Sequence, residues 1–169
     1  MEISNNGIDN LKILEGFSPK WYPDANGESI GYGHFRLTGD NFMTVTMAEA
    51  NDLLLKDIKK FEKIINSVIK VAISQNQFDA LVIFCYNTGV GKSALYDLIN
   101  QKADIETILK WWVSHYTTSK GKTLPALIKR RAIEANMFAN GATMDAAKSI
   151  LPTVALIIIL AGLFKHLKF

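Results

Sequence analysis

The segment from Phe78 to Asn87 limits the possible folds more than any other part of the sequence. It reads FDALVIFCYN and follows Ser74-Gln-Asn-Gln77, which has the pattern of a helix N-terminal capping box. Its apolar residues cover nearly every side of a helix, whereas a surface helix keeps a polar face. The sequence therefore predicts a helix that is buried at the centre of the fold.

Helical patterns also precede and follow this segment. Each of them combines apolar residues at spacings of three and four with a capping or terminating residue. A first helix is expected over residues 3–15, with Asn5 or Asn6 as its N-cap. A second helix, NDLLLKDIKKFEKIIN, begins after a capping box from Thr46 to Glu49. SALYDLIN is expected to form a short helix, and IETILKWWVSHY a longer one with Asp104 as its N-cap. The last predicted helix is PALIKRRAIEANMF, which starts at Thr123 and Pro125 and ends at Asn140-Gly141.

The stretch between the first two helices has a different composition. It reads FSPKWYPDANGESIGYGHFRLTGDNFMTVT and is rich in Gly, Pro, Asn and Asp, with aromatic residues between them. WYPD and ESIGYG are expected to form short strands on either side of a turn at Asn26-Gly27. The sequence thus predicts an α+β, predominantly helical domain over residues 1–141, with a small β-hairpin lobe and a helical lobe.

The C-terminal segment stands apart from this domain. Residues 150–164 read ILPTVALIIILAGLF, carry no charge and lie between Lys148 and Lys165. As a helix they would span about 22 Å, whereas the hydrocarbon core of a bilayer is roughly 30 Å thick. A core helix of the globular domain is one interpretation. Because Val154–Ala161 has no polar face, we expect residues 150–169 to form a transmembrane or membrane-inserted helix after a linker at 142–149.

The net charge of +3 belongs to residues 148–169. Residues 148–169 contain three lysines and no acidic residue, so the rest of the chain is electrically balanced. A nucleic-acid partner is therefore not expected. Cys85 is the one cysteine and lies in an apolar run, which predicts a packing role and excludes an intramolecular disulfide. The N-terminal residues MEISNNGIDN lack the pattern of a secretory signal peptide.

Glu15, Asp24 and Ser29 are the candidate catalytic residues. Glu15 ends the first predicted helix, Asp24 ends the first strand, and Ser29 begins the second. Hydrolysis of a glycosidic bond needs a proton donor at the leaving oxygen and an opposite group that stabilises or traps the oxocarbenium-like centre. A helix end and a hairpin that converge on one cleft would supply both groups. Taken alone, the same residues also fit a surface glutamate and a turn-forming aspartate.

The order of the motifs resembles that of one known family. The string GIDNLKILEGFSPKWYPDANGESIGYGH resembles the catalytic signature of the phage-type lysozymes, in which a helix ending in Glu-Gly precedes a Tyr-x-Asp strand and Thr-Ile-Gly-Tyr-Gly-His. SQNQFDALVIFCYNTGVG and LIKRRAIEANMF resemble the buried and closing helices of that family. The resemblance covers residues 3–140 in order. It implies a two-lobed lysozyme-like fold and a muramidase that acts on bacterial peptidoglycan, at the β-1,4 linkage of N-acetylmuramic acid to N-acetylglucosamine, without a cofactor.

The resemblance also implies roles for individual residues. Glu15 would be the general acid, Asp24 would position the attacking water or stabilise the cation, and Ser29 would replace the family's threonine beside that water. His34 matches a structural histidine. The residues expected to bind substrate are Tyr22, Tyr32, Tyr86, Asn87, Arg130 and Arg131. The two arginines are either a solvated pair, or one of them faces the cleft and pairs with Glu15 or with peptide carboxylates of the wall.

Two departures from the family pattern concern the hairpin. Ser29 keeps the hydroxyl of threonine but lacks the methyl group that restricts its rotamer. The spacing from Asp24 to Ser29 is one residue shorter than usual, and Glu28 is the nearest substitute if the shorter hairpin displaces Asp24. The alternative function is a non-catalytic wall-binding or structural virion protein that keeps a lysozyme fold.

Trp111 and Trp112 point about 100° apart on a helix, so one is expected in the core and the other at the surface or against sugar. No group of residues has metal-ligand spacing.

The basic residues around the C-terminal segment suggest its orientation. Lys165, His166 and Lys168 follow the segment and only Lys148 precedes it, which predicts a cytoplasmic C-terminus and a catalytic domain that faces the wall. The membrane would be a viral internal membrane, with other virion proteins as possible partners, or the host inner membrane.

Overall fold

The computed structural model describes residues 1–24 and 27–140, and within these ranges it contains six helices and two small sheets. The strands are short and most lie between the first two helices. The elements are α1 (Asn5–Glu15), β1 (Ser18–Asp24), β2 (Gly27–Gly31), β3 (His34–Phe35), α2 (Met47–Val68), α3 (Gln75–Thr88), α4 (Ala94–Asn100), α5 (Ile105–Ser114), β4 (Thr118–Ser119), β5 (Lys122–Thr123) and α6 (Pro125–Asn140).

Helix α3 lies at the centre of the helical lobe, as the sequence predicts. Its residues from Phe78 to Cys85 are all buried, and it packs against α1, α2 and α6. The backbone N–H of Ser74 donates to Oε1 of Gln77 at 2.9 Å, so the capping residues hold the helix start. Trp112 of α5 is fully buried in the same core, whereas Trp111 is half-buried and stacks on His115.

Strands β1, β2 and β3 form an antiparallel sheet in which they are neighbours in sequence order. We call this sheet, together with the loop that follows it to Val45, the hairpin lobe. Tyr22 lies opposite Ser29 and Asp24 opposite Gly27. The predicted strand pair is confirmed, although β1 begins at Ser18, earlier than WYPD, and β3 was not expected. A separate small core of Ile30, Val45 and Ala50 joins this sheet to the start of α2.

Two local predictions are wrong. The N-cap of α1 is Ser4, not Asn5 or Asn6, because its hydroxyl accepts a hydrogen bond from the N–H of Gly7 and donates one to Asp79. Helix α5 ends at Ser114 instead of Tyr116, and strands β4 and β5 interrupt the region expected to be entirely helical. Lys120 and Gly121 both have positive φ at the centre of that two-residue turn, the conformation that closes a tight hairpin.

The predicted linker at 142–149 and the predicted membrane helix at 150–169 lie outside the described residues. Among the helices of residues 1–24 and 27–140, none has the length and apolar character needed to cross a bilayer.

Candidate active site

Glu15 lies at the C-terminal end of α1, where the chain turns into the hairpin lobe. Gly16 follows it with a φ of 72°, a left-handed conformation that favours glycine and lets the backbone leave the helix abruptly. The Glu15 side chain is only 16% exposed. The carboxylate is therefore held between the two lobes instead of pointing freely into solvent.

Arg130 of α6 fixes one oxygen of this carboxylate. Its Nη2 lies 2.6 Å from Oε1 of Glu15, and its Nε donates to Oε1 of Glu134 at 3.0 Å. Burial alone would lower the pKa of Arg130, but the charges of Glu15 and Glu134 outweigh it and raise that pKa. The guanidinium is thus a charged bridge between a glutamate in the site and one in the core.

Glu134 is the hub of this network, and sequence reasoning missed it. Its side chain is fully buried and accepts hydrogen bonds from Arg130, from Nη2 of Arg131 at 2.9 Å and from the Trp112 indole at 3.1 Å. Burial raises the pKa of Glu134, while the two arginines oppose that shift. The segment RRAIE could have predicted this contact. Glu134 follows Arg130 by four residues and Arg131 by three, so all three lie on the same face of a helix.

Arg131 does not reach the substrate side of the site. It is fully buried, which corrects the expectation that it binds saccharide directly. Its Nη2 donates to Oδ1 of Asn87 at 2.5 Å, and its guanidinium carbon lies 5.0 Å from the centroid of the Phe84 ring. Arg131 therefore holds the side chain of Asn87, which is exposed at the end of α3.

The second oxygen of Glu15 is directed towards Gly33 and Tyr86. A Cβ atom on Gly33 would lie 3.3 Å from Oε2 of Glu15, and Gly33 has a φ of 86°. Any side chain there would therefore crowd the carboxylate and strain the backbone. The Tyr86 hydroxyl donates to the backbone oxygen of Tyr32 at 2.9 Å, and burial raises the pKa of Tyr86. The Tyr86 side chain thus links α3 to the hairpin lobe.

Asp24 and Ser29 meet across the hairpin. The Ser29 hydroxyl donates to Oδ2 of Asp24 at 2.8 Å, and Ser29 is fully buried while Asp24 is exposed. Burial and the charges of Asp24 and Glu15 raise the pKa of Tyr22, which lies opposite Ser29. The Tyr22 side chain is therefore within electrostatic reach of both carboxylates.

Glu28 does not take the place of Asp24. It neighbours Ser29 in β2, so its side chain projects from the opposite face of the strand. There it forms an ion pair of 2.5 Å with Nη1 of Arg36, whose guanidinium lies 4.1 Å from the centroid of the Trp21 ring. The shorter hairpin keeps Asp24 as the carboxylate on the Ser29 side.

His34 has a structural role at the base of the hairpin lobe. Its buried ring lies between two carboxylates, with Nδ1 2.7 Å from Asp57 of α2 and Nε2 3.1 Å from Asp40. Burial raises the pKa of Asp57, although His34 opposes that shift. The hydrogen bond that the backbone N–H of Leu37 donates to Asp40 lowers the pKa of Asp40, and the contact with His34 lowers it further. Both ring nitrogens have a carboxylate partner, so His34 connects β3 to α2.

A cleft of about 520 Å³ runs from this site along α2. The hairpin lobe, α2 and α3 all contribute to its walls. Its lining residues are Asp24, Gly33, Phe35, Leu37, Lys56, Asp57, Lys60, Phe61 and Tyr86. Within residues 1–24 and 27–140, no group of three His, Cys, Asp or Glu side chains could hold a metal ion.

The chain matches known proteins over most of this fold. The model of the family described as "Phage lysozyme" matches residues 12–134. An endolysin of Bacillus phage PZA is 33% identical over 88% of the chain, but the chain spans only 59% of that relative's length. Among solved structures, an endolysin from Escherichia coli O157:H7 phage FAHEc1 superposes with a TM-score of 0.72 at 34% identity, covering 85% of this chain and 96% of that one. The muramidase domain of SpmX from Asticaccaulis excentricus superposes with a TM-score of 0.74 at 29% identity, covering 82% and 98%.

Proposed function

The chain belongs to the phage lysozyme family, and from this premise we propose that it is a muramidase, a glycoside hydrolase acting on peptidoglycan. Its target is the β-1,4 linkage between N-acetylmuramic acid and N-acetylglucosamine. The observation that carries the proposal is the presence of two held carboxylates, Glu15 paired with Arg130 at the end of α1 and Asp24 hydrogen-bonded by Ser29 in the hairpin that follows. These groups supply the two functions that glycosidic cleavage requires.

Glu15 acts as the general acid through its second oxygen. Arg130 holds Oε1, so Oε2, beside Gly33, is the oxygen that carries a proton to the leaving group. Asp24 stabilises the positive charge that develops on the sugar ring or orients the attacking water. The hydroxyl of Ser29 fixes the Asp24 carboxylate in that position. We assign Tyr22, Tyr32, Tyr86 and Asn87 to saccharide binding, and of these Tyr86 lines the cleft.

The test is hydrolysis of purified peptidoglycan by the full chain and by Glu15→Gln. The glutamine variant is expected to release reducing ends about 10³-fold more slowly, as for loss of a general acid. Glu28→Gln is the matched control, because it changes a carboxylate of the same hairpin that points away from the cleft. Mass spectrometry of the products identifies N-acetylmuramic acid as the new reducing end.

Each outcome bears on the assignment. Equal rates for the native chain and Glu15→Gln would refute Glu15 as the acid. A loss of activity in Glu28→Gln comparable to that in Glu15→Gln would move the second carboxylate to Glu28. Binding to peptidoglycan without any release of sugar would favour the non-catalytic wall-binding alternative.

We also propose that residues 150–169 anchor the enzyme in a membrane, in a virion for entry or in the host until lysis. Support comes from the 15 uncharged residues from Ile150 to Phe164 and from the excess of basic residues after them. Replacing Ile158 by lysine should shift the chain from the carbonate-resistant membrane fraction to the soluble one. A native chain that is already soluble would refute the anchor. Presence in purified phage particles and loss on delipidation would favour the virion, and absence from particles would favour the host membrane.

A further inference from the structure

A buried group of three charged side chains lies directly behind Glu15. Nε of Arg130 and Nη2 of Arg131 both contact Oε1 of Glu134, at 3.0 and 2.9 Å, so two guanidinium groups share one carboxylate oxygen. The side chains of Glu134 and Arg131 are fully buried, and that of Arg130 is 9% exposed. Because water screens charges only weakly at such positions, the sum of these charges acts on Glu15.

The three charges sum to +1, and an ionised Glu15 brings the total to zero. Within residues 1–24 and 27–140, Glu134 is the single acidic partner of Arg131, and Nε and Nη1 of Arg131 have no hydrogen-bond partner. Glu134 therefore has to balance two cations, and only part of its negative charge opposes Arg130.

The contact between Arg130 and Glu15 sets two requirements against each other. A cation 2.6 Å from a carboxylate favours its ionised form, whereas a general acid has to carry a proton. The same guanidinium contacts Glu15 through Nη2 and Glu134 through Nε. Since the negative charge of Glu134 lies on the far side of this guanidinium, it weakens the pull of Arg130 on Glu15 without releasing the contact.

The other charged or titratable side chains around Glu15 come from α1, the hairpin lobe, α2 and α3. They are Lys12, Tyr22, Asp24, Asp57 and Tyr86. Burial raises the pKa of Tyr22 and of Tyr86, so both phenols stay neutral near pH 7. Asp24 is exposed, and salt and water screen its charge. The buried charges of α6 are therefore the main electrostatic influence on Glu15.

We propose that Glu134 is a positioning residue that keeps the general acid Glu15 protonated by balancing the charge of Arg130 from within the core. This proposal rests on the proposed muramidase function and adds a residue that touches no reacting atom and acts through Arg130. Arg131 acts in the opposite sense, because it draws part of the Glu134 charge to itself.

The test is the pH profile of kcat on purified peptidoglycan. Glu134→Gln keeps the shape of the side chain but removes its charge, which leaves two cations behind Glu15. The alkaline limb of the profile should move about one pH unit lower, the scale of one unit charge a few ångströms away in a protein interior. Below that limb kcat should return towards the native value, whereas a purely structural defect would lower kcat at every pH.

Arg131→Met tests the opposite sign. Methionine fills the site beside the Phe84 ring without a charge, and Glu134 then balances Arg130 alone. The alkaline limb should move to higher pH by a similar amount. This variant also carries the test if Glu134→Gln does not fold, which circular dichroism shows.

The matched control is Glu62→Gln. Glu62 is a carboxylate of α2 whose side chain is only 5% exposed, and it accepts from the N–H of Ile3 at 2.8 Å and pairs with Lys59. Its loss removes a buried charge that has no contact with the Arg130 group. Glu62→Gln should therefore lower stability and leave the alkaline limb at the native pH.

An alkaline limb at the native pH in Glu134→Gln would overturn the proposal, and so would a limb that moves to lower pH in Arg131→Met. A native chain that releases no sugar would instead refute the muramidase function. In that case ¹³C NMR titration of the Glu15 carboxyl, identified by its absence in Glu15→Gln, still measures the proton directly. Midpoints that shift in opposite directions in the two variants would support the charge balance, and equal midpoints would overturn it.

Discussion

The two carboxylates of the site are held in opposite ways. Glu15 belongs to a buried chain of charges that passes through Arg130 to Glu134 and Arg131 in the core. Asp24 is exposed at the end of a hairpin strand, and its described hydrogen bond comes from Ser29 alone. The acid is thus positioned by the helical core, whereas its partner is positioned by local hairpin geometry.

This difference has energetic consequences. Removing one member of a buried ionic network leaves the remaining charges without water or a counter-ion, and the cost falls on the stability of the fold. Removing an exposed carboxylate leaves no such uncompensated charge, so its cost falls on the reaction. The two sides of the cleft should therefore separate in experiment, one through unfolding and the other through turnover.

Glu134→Gln tests the helical side and should have the largest effect. The amide leaves Arg130 and Arg131 without their shared counter-charge, and within the described residues Nε and Nη1 of Arg131 already have no hydrogen-bond partner. We expect the free energy of unfolding to fall by about 3–5 kcal/mol, the range for breaking a buried ion pair. Denaturant titration followed by circular dichroism measures it.

The matched control is Glu106→Gln, which removes a carboxylate from an exposed pair with Lys110 four residues along α5. That pair is solvent-screened, and its loss should leave the unfolding midpoint close to that of the native chain. If Glu134→Gln unfolds at the same denaturant concentration as Glu106→Gln, the buried network does not stabilise the helical side.

Much of the fold follows from local sequence patterns. The apolar run in α3 and the cap at Asp104 act over a few residues, and the structure has both where the sequence predicts them. The choice of Ser4 as the N-cap of α1 depends on Asp79, 75 residues away, so local pattern alone does not identify it. The β4–β5 turn was missed because Lys120 adopts a positive φ that its residue type does not predict.

The contacts of the site also divide into local ones, which the sequence predicts, and long-range ones, which it does not. Asp24 and Ser29 are five residues apart, and their contact follows from the hairpin that the turn predicts. The partner of Glu15 lies 115 residues away, and sequence alone left open which of the two arginines would reach it. The rotation of α6 on α3 decides this, since it sends Arg130 to Glu15 and buries Arg131 behind Asn87.

Asp24→Asn tests the hairpin side and should affect turnover more than stability. Asparagine keeps an oxygen that can accept from Ser29 but loses the negative charge opposite the sugar ring. We expect kcat to fall about 10²-fold, at the lower end for loss of a catalytic carboxylate, with little change in Tm. Reducing-end assays and thermal unfolding on the same preparation give both values. A fall in Tm as large as that of Glu134→Gln would mean that Asp24, like Glu134, contributes to the stability of the fold.

Ser29 provides the finest test of the hairpin side, because its effect passes through one hydrogen bond. Ser29→Ala frees the Asp24 carboxylate, and kcat should fall about tenfold, the equivalent of one hydrogen bond to a charged group. Ser29→Thr keeps the hydroxyl and restricts its rotamer, so its kcat should stay near the native value. The added methyl group enters a fully buried position and should lower Tm slightly. Steady-state kinetics of the two variants separate the effect of the hydroxyl from the effect of packing.

A native kcat in Ser29→Ala would show that Asp24 is fixed by other contacts, and the contrast between the two carboxylates would then no longer hold.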